Sequence, residues 1–344
     1  ADCTPRSEVA QRGREPGLFD ERVVFADGVR NSRAMRPTFS MLSNPFALLL
    51  TFLCVLLPAE LQATTLTLAA AAHGCGVSDR AQPPPPPFAQ QRLAQSEAVP
   101  GARDIAWVWL GSPTSRYPHA ALGSTLHAAS LHVLPAAPAA RSQPQTYTLP
   151  PYRVFEDRVP RLADLDGDGR DEIILVEADA LQGAALVVFG LRDGAIVELA
   201  RGPHAGSTFR WLNPVGVADF DGDGRPDLAS VTTPHIGGVL TLHHYRPPRL
   251  EPYARHTEVS NHRMGELEQQ LAVIVAQTGQ RPAILIPDMQ LMALQALRWD
   301  APGQWTELAR PLALPARAER FTPLDGGGCL RLADDSWWRV TLAP

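Results

Sequence analysis

The sequence predicts an all-β protein, and three observations carry that prediction. From about residue 100 onward, short apolar, β-branched runs recur between turn residues, as in Ile173-Ile-Leu-Val176, Ala185-Leu-Val-Val-Phe189 and Leu240-Thr-Leu-His-His-Tyr245; such runs read as strands. One acidic loop is written twice, as Asp164-Leu-Asp-Gly-Asp-Gly-Arg-Asp-Glu172 and Asp219-Phe-Asp-Gly-Asp-Gly-Arg-Pro-Asp227, with starts 55 residues apart. Fainter echoes continue the period: Arg225-Pro-Asp-Leu228 returns as Arg281-Pro-Ala-Ile284, 56 residues on.

Each unit reads as loop, strand, gap, strand, turn, strand. In the first full unit, Ala185–Phe189 and Ala195–Leu199 flank Arg192-Asp-Gly194, a hairpin turn signal. Later units contribute Leu294–Trp299 and Trp305–Leu308, and weak copies of the loop stand at Gly101–Val108 and Leu324–Leu332. A repeat of this length with about four strands suits the blade of a β-propeller. The expected fold is therefore a β-propeller of about five blades over residues 101–344; six or seven blades, or an incomplete ring, remain open. Ser336–Leu342 is a candidate for the strand that closes the ring.

The two loops have the chemistry of a cation cage. Carboxylates at positions 1, 3, 5 and 9 and a backbone carbonyl at position 7 supply the oxygen ligands that a hard divalent cation takes. The candidate ligands are Asp164, Asp166, Asp168, the Arg170 carbonyl and Glu172 in the first loop, and Asp219, Asp221, Asp223, the Arg225 carbonyl and Asp227 in the second. Gly169 and Gly224 sit at position 6, where the chain turns sharply. Four carboxylates so close repel one another unless a cation lies between them. A solvated acidic turn is the plainer reading of one such loop, and two near-identical copies argue against it. The first copy is the weaker, with Glu172 in place of Asp and an extra acid at Asp171. An EF-hand is excluded, because position 12, its bidentate Glu, is Leu175 in one loop and Ser230 in the other. Two Ca²⁺ sites are expected.

On these residues the loops resemble the FG-GAP/VCBS-type repeats of integrin α-subunit propellers and bacterial exported proteins. The resemblance is specific for 164–172 and 219–227 and weak for the other units. It implies that the calcium loop joins two strands of one blade in a structural role; the other three units lack the acids, so metal is expected at two blades alone.

The front of the chain reads differently. Arg36 precedes a twelve-residue apolar core, Phe46–Leu57, which Pro58 ends; small residues follow. That is the anatomy of a signal peptide over 35–63, and the core is too short to span a bilayer. A leader there implies an over-extended reading frame, with initiation at Met35 or Met41 and residues 1–34 non-native or disordered. Residues 64–100, with the run Pro83–Pro87, are expected to be a Pro-rich linker. The localisation implied is periplasmic, cell-surface or extracellular. Cys75 is a candidate lipid anchor, although His73 fits a lipobox poorly. Cys75 and Cys329 can also pair in an oxidising compartment, or be unrelated.

Composition removes several chemistries. The chain has no lysine, which excludes Schiff-base and P-loop chemistry. Its formal charge of -5 and lack of a basic stripe argue against nucleic acid. Neither a Gly-x-Ser-x-Gly elbow nor a His-Glu-x-x-His motif is present. His243 and His244 are neighbours in a strand and face opposite sides, and His127 and His132 read as structural or surface residues. The function expected is an exported, non-catalytic, calcium-binding module for protein or cell-surface partners. Alternatives are a carbohydrate-binding propeller, and a polysaccharide-acting enzyme with its site in the central channel.

Overall fold

The computed structural model describes residues 64–76, 85–86, 89, 91–136 and 143–343, and every element named below lies in one compact unit, Glu60–Pro344. The expected extension 1–34 and leader 35–63 lie outside the described residues.

The chain is all-β, and its strands form successive antiparallel meanders. Strand β1 (Thr65–Ala71) stands apart in sequence. The first sheet holds β2 (Val99–Pro100), β3 (Ile105–Thr114), β4 (His127–Pro135) and β5 (Gln145–Thr148). In the second, β6 (Arg153–Phe155) and β7 (Arg161–Ala163) share one edge of β8 (Glu172–Asp179), followed by β9 (Gly183–Arg192) and β10 (Ala195–Arg201). The third is β11 (Leu212–Ala218), β12 (Asp227–Thr232), β13 (Val239–Arg246) and β14 (Arg249–Thr257). The fourth is β15 (Val273–Gln277), β16 (Gln280–Pro287), β17 (Ala293–Ala301) and β18 (Gln304–Glu307), with β19 (Leu312–Ala313) also paired to β17. The fifth runs β20 (Ala318–Leu324), β21 (Gly327–Leu332), β22 (Trp337–Ala343), and β1 returns to complete it. Single-residue bridges, Ala128 to Phe155 and Arg201 to Arg249, tie the first three sheets into one ladder.

Period-two alternation distributes the core. In β9, Ala184, Leu186 and Val188 enter the layer between the second and third sheets, while Val187, Phe189 and Leu191 enter the layer against the first. The central strands of the second sheet are thus buried on both faces, and they read as the apolar runs Ile173–Val176 and Gly183–Leu191. The fourth sheet does the same: Ile284 and Ile286 face the third sheet, Ala283 and Leu285 the fifth. Each buried Leu, Ile or Val contributes roughly 1.5–3 kcal/mol. Four apolar layers thus separate five sheets; among the described residues none joins the fifth sheet to the first.

Two expectations at the front of the chain are corrected. The segment 64–100 is not linker throughout: Thr65–Ala71 pairs with β22 along its whole length, from Thr65 opposite Ala343 to Ala71 opposite Trp337. Thr65 and Thr67 alternate with Leu66 and Leu68, and the two leucines pack against the core of the fifth sheet. The stretch expected to close the ring is β22, the third strand of its sheet, and β1 supplies the fourth. Cys75 is disulfide-bonded to Cys329, so it carries no free thiol for a lipid anchor.

Candidate functional site

Both acidic loops join the first two strands of a sheet, β7 to β8 and β11 to β12, at the same end of the sheets. The local cause is a shared set of side-chain-to-backbone bonds. Asp164 Oδ1 accepts from the Gly167 amide at 2.7 Å and its Oδ2 from Gly169 at 3.1 Å. Asp219 repeats this with Gly222 at 2.7 Å and Gly224 at 3.0 Å. Asp166 and Asp221 each cap the amide two residues on, as do Asp168 and Asp223 for Arg170 and Arg225. Glycines at positions 4 and 6 have left-handed φ: 77° and 81° at Gly167 and Gly169, 75° and 84° at Gly222 and Gly224. A side chain is strained in that region, so both glycines are required by the turn.

The carboxylates converge, although not as two identical sets. Asp164, Asp166 and Glu172 offer oxygens within 4.8 Å of one another, and so do Asp219, Asp221 and Asp223. Asp168 stays outside the first trio, 3.7 Å from the Arg192 guanidinium. Asp227 groups instead with Asp221 and His244. The side chains of Arg170 and Arg225 are exposed.

Each loop has flanking cations or donors that sequence reading missed. Arg192 lies 3.1 Å from Glu172, and Arg103 lies 3.7 Å from Asp164. In the second loop His244 Nε2 is 3.0 Å from Asp221 Oδ2, and its ring stacks on Tyr253 at 4.0 Å. The Tyr253 hydroxyl donates to Asp227 at 2.7 Å. His244 arrives there because it sits opposite Asp227 in the β12–β13 register, a pairing that no local motif announces. His243 points the other way, to Ser230.

The extra acid of the first loop has a separate task. Asp171 is buried and accepts from the Ala102 and Arg103 amides and the Arg103 guanidinium, while its own amide donates to Asp104. It fastens the loop to the β2–β3 turn of the first sheet.

Burial raises the pKa of both position-9 carboxylates. Asp227 is pushed up to about 6, with the Tyr253 bond opposing and Asp221 adding to the rise. Glu172 rises for the same first reason, opposed by the Leu165 amide and Arg192. Burial also pushes Asp221 upward, but the His244 and Asp223 bonds outweigh it and its pKa falls. A bound cation favours the charged form of all three. The donor set is mostly carboxylate oxygen, which fits a hard divalent cation.

The stretch that contains both loops matches a described family. Residues 164–230 match the FG-GAP-like repeat. The FG-GAP-like match ends within β12, so the remaining sheets are assigned from their strand pairing alone. Among solved structures, the chain is similar to the rhamnogalacturonan lyase YesW at 15% identity, covering 58% of this chain and 47% of that one, with a TM-score of 0.34. It is also similar to the Bacillus licheniformis rhamnogalacturonan lyase PL11, at 15% identity over 52% of this chain and 41% of that one, with a TM-score of 0.30. The chain spans less than half the length of either. No protein of curated function matches it.

A second group of titratable side chains, absent from the sequence reading, gathers at the opposite end of the sheets. His119 Nδ1 lies 2.6 Å from Glu156 Oε1, and Glu156 is fully buried. His235 Nε2 lies 2.8 Å from His262 Nδ1. Trp211 joins the two pairs: its indole donates to the Glu156 carbonyl and its ring stacks on His235. These residues come from four separate connections, so no sequence motif carries them.

Proposed function

We propose that the chain is an exported β-propeller of five blades in an incomplete ring, stapled by calcium at two loops, and that it acts as a non-catalytic interaction module. Five meanders with four apolar layers between them support the blade reading. The leader-like segment 35–63 and the Cys75–Cys329 disulfide support export.

The observation that carries the calcium reading is the matched loop geometry with converging carboxylates. Asp164, Asp166, Glu172 and the Arg170 carbonyl hold one ion, with Asp168 turned toward it from Arg192. Asp219, Asp221, Asp223, Asp227 and the Arg225 carbonyl hold the other, and His244 orients Asp221. The ions neutralise the carboxylates and hold the turns, so the acids are occupied in structure rather than in catalysis. Calorimetric titration of calcium into the chelator-treated chain tests this: two sites are expected, and heats no larger than dilution would overturn it.

The carbohydrate-directed reading is kept because one observation favours it. A buried carboxylate orienting a histidine, as Glu156 does His119, is an arrangement that serves a ligand better than a fold.

A further inference from the structure

The end of the sheets opposite the acidic loops carries all the large exposed apolar side chains of the described residues. Leu126, Tyr152, Leu181, Phe209, Ile236, Met264, Leu267 and Met292 stand in connections that leave or enter strands at that end. The histidine group lies at the same end, and its hydrogen bonds set the roles of two of the rings. His262 Nε2 lies 2.9 Å from the Glu266 carbonyl, which only accepts, so Nε2 carries the proton and Nδ1 is an acceptor. His235 must then donate from Nε2, which leaves its Nδ1 free. His119 spends Nδ1 on Glu156, which leaves Nε2 free. Among the described residues neither free nitrogen has a protein partner, and neither is sealed from solvent.

The support behind these rings exceeds what surface histidines need. Glu156 Oε2 is buried with no partner, an uncommon state that needs a reason. His127, also fully buried, spends Nε2 on the His119 carbonyl. Phe209 stacks on His119 at 5.2 Å and keeps 45% of its surface exposed. Its φ is 64°, an outlier for a bulky residue. The Tyr117 hydroxyl holds it there by accepting the Phe209 amide at 2.7 Å. An aromatic face is thus fixed in a strained backbone, beside two free imidazole nitrogens whose rings are held from behind.

We propose that Phe209, His119 and His235 form a binding site for a hydroxyl-rich sugar residue of a glycan. A sugar offers both halves of the match: an apolar C–H face for the exposed ring, and hydroxyls, which both donate and accept, for the two free imidazole nitrogens. The proposal rests on the interaction-module reading above and names its partner class; it does not depend on calcium.

The test uses the full chain on a printed array of neutral and uronic-acid-containing oligosaccharides, followed by calorimetric titration with the strongest binder. Phe209→Ala is exposed enough to fold, and it is expected to weaken binding tenfold or more at an unchanged melting temperature. His119→Gln and His235→Gln are expected to weaken it as well. An array with no bound glycan, or binding untouched by Phe209→Ala, overturns the proposal. A protein captured from the cell envelope and lost with Phe209→Ala, while no glycan binds, also overturns it and leaves the interaction-module reading standing.

Discussion

Cys75 is bonded to Cys329 across 254 residues of sequence, which holds the 3-10 turn after β1 against β21. The first described strand is therefore fastened twice to the fifth sheet, by its ladder to β22 and by a covalent bond. Cross-links that close long loops restrict the unfolded chain and typically contribute about 2–4 kcal/mol. Cys75→Ser, at the half-buried partner, is expected to lower the melting temperature by several degrees. Wild type in reducing agent is expected to match it. Scanning calorimetry of both, with and without reductant, checks this.

The acidic loops predict a calcium-dependent stability. A ligand that binds only the folded state at a hundred times its Kd adds about 2.7 kcal/mol. Chelation is expected to lower the melting temperature, and Asp221→Ala to reproduce most of the fall, because Asp221 belongs to both carboxylate groups of the second loop. In the first loop Arg192 and Arg103 already stand beside the acids, so Asp166→Ala is expected to cost less. Melting curves indistinguishable with and without chelator would remove calcium from the account.

His127 predicts a pH dependence. Burial pushes its pKa down to about 4, helped by the Arg158 and His119 charges and opposed by the bond to the His119 carbonyl. The folded value lies below the unfolded one, so the unfolded chain takes the proton first. Stability from this residue is full above the unfolded pKa near 6.5 and is lost as pH falls toward 4. The full loss is on the order of 3 kcal/mol. His127→Gln keeps a donor for the His119 carbonyl but does not titrate. It is expected to lose less stability than wild type between pH 6.5 and 4, read by urea unfolding at each pH.

Glu177 is fully buried between two arginines, with Arg201 bound to both its oxygens at 2.8 and 3.0 Å and Arg153 at 3.3 Å. Removing one partner of a buried ion pair leaves charge uncompensated and costs roughly 3–5 kcal/mol. Arg153 remains in the variant, so Arg201→Ala is expected at the lower end of that range. Arg201→Ala together with Glu177→Leu is expected to recover much of the loss. Equilibrium unfolding of the single and double variants measures it.

Much of this protein is local and so was legible in sequence. The acidic loops announce themselves because the aspartate-to-amide bonds that shape their turns run between residues at most five apart, as from Asp164 to Gly169. Strand positions in the second and third sheets followed from runs whose two faces are both buried. What stayed hidden depends on register and on contacts between distant connections. His244 reaches Asp221 only through the β12–β13 pairing, and Thr65–Ala71 becomes a strand only where β22 offers an unpaired edge.

The amino-acid sequence by itself determined the strand-rich class, the repeat and the two acidic loops, since alternation and short-range turn chemistry are properties of neighbouring residues. The tertiary structure alone decided that Cys75 pairs with Cys329, that β1 belongs to the last sheet, and that His119, Glu156, His235 and His262 meet at one end. Those meetings are made when sheets stack and bring far-separated connections together, a result of packing over the whole chain that no short stretch encodes.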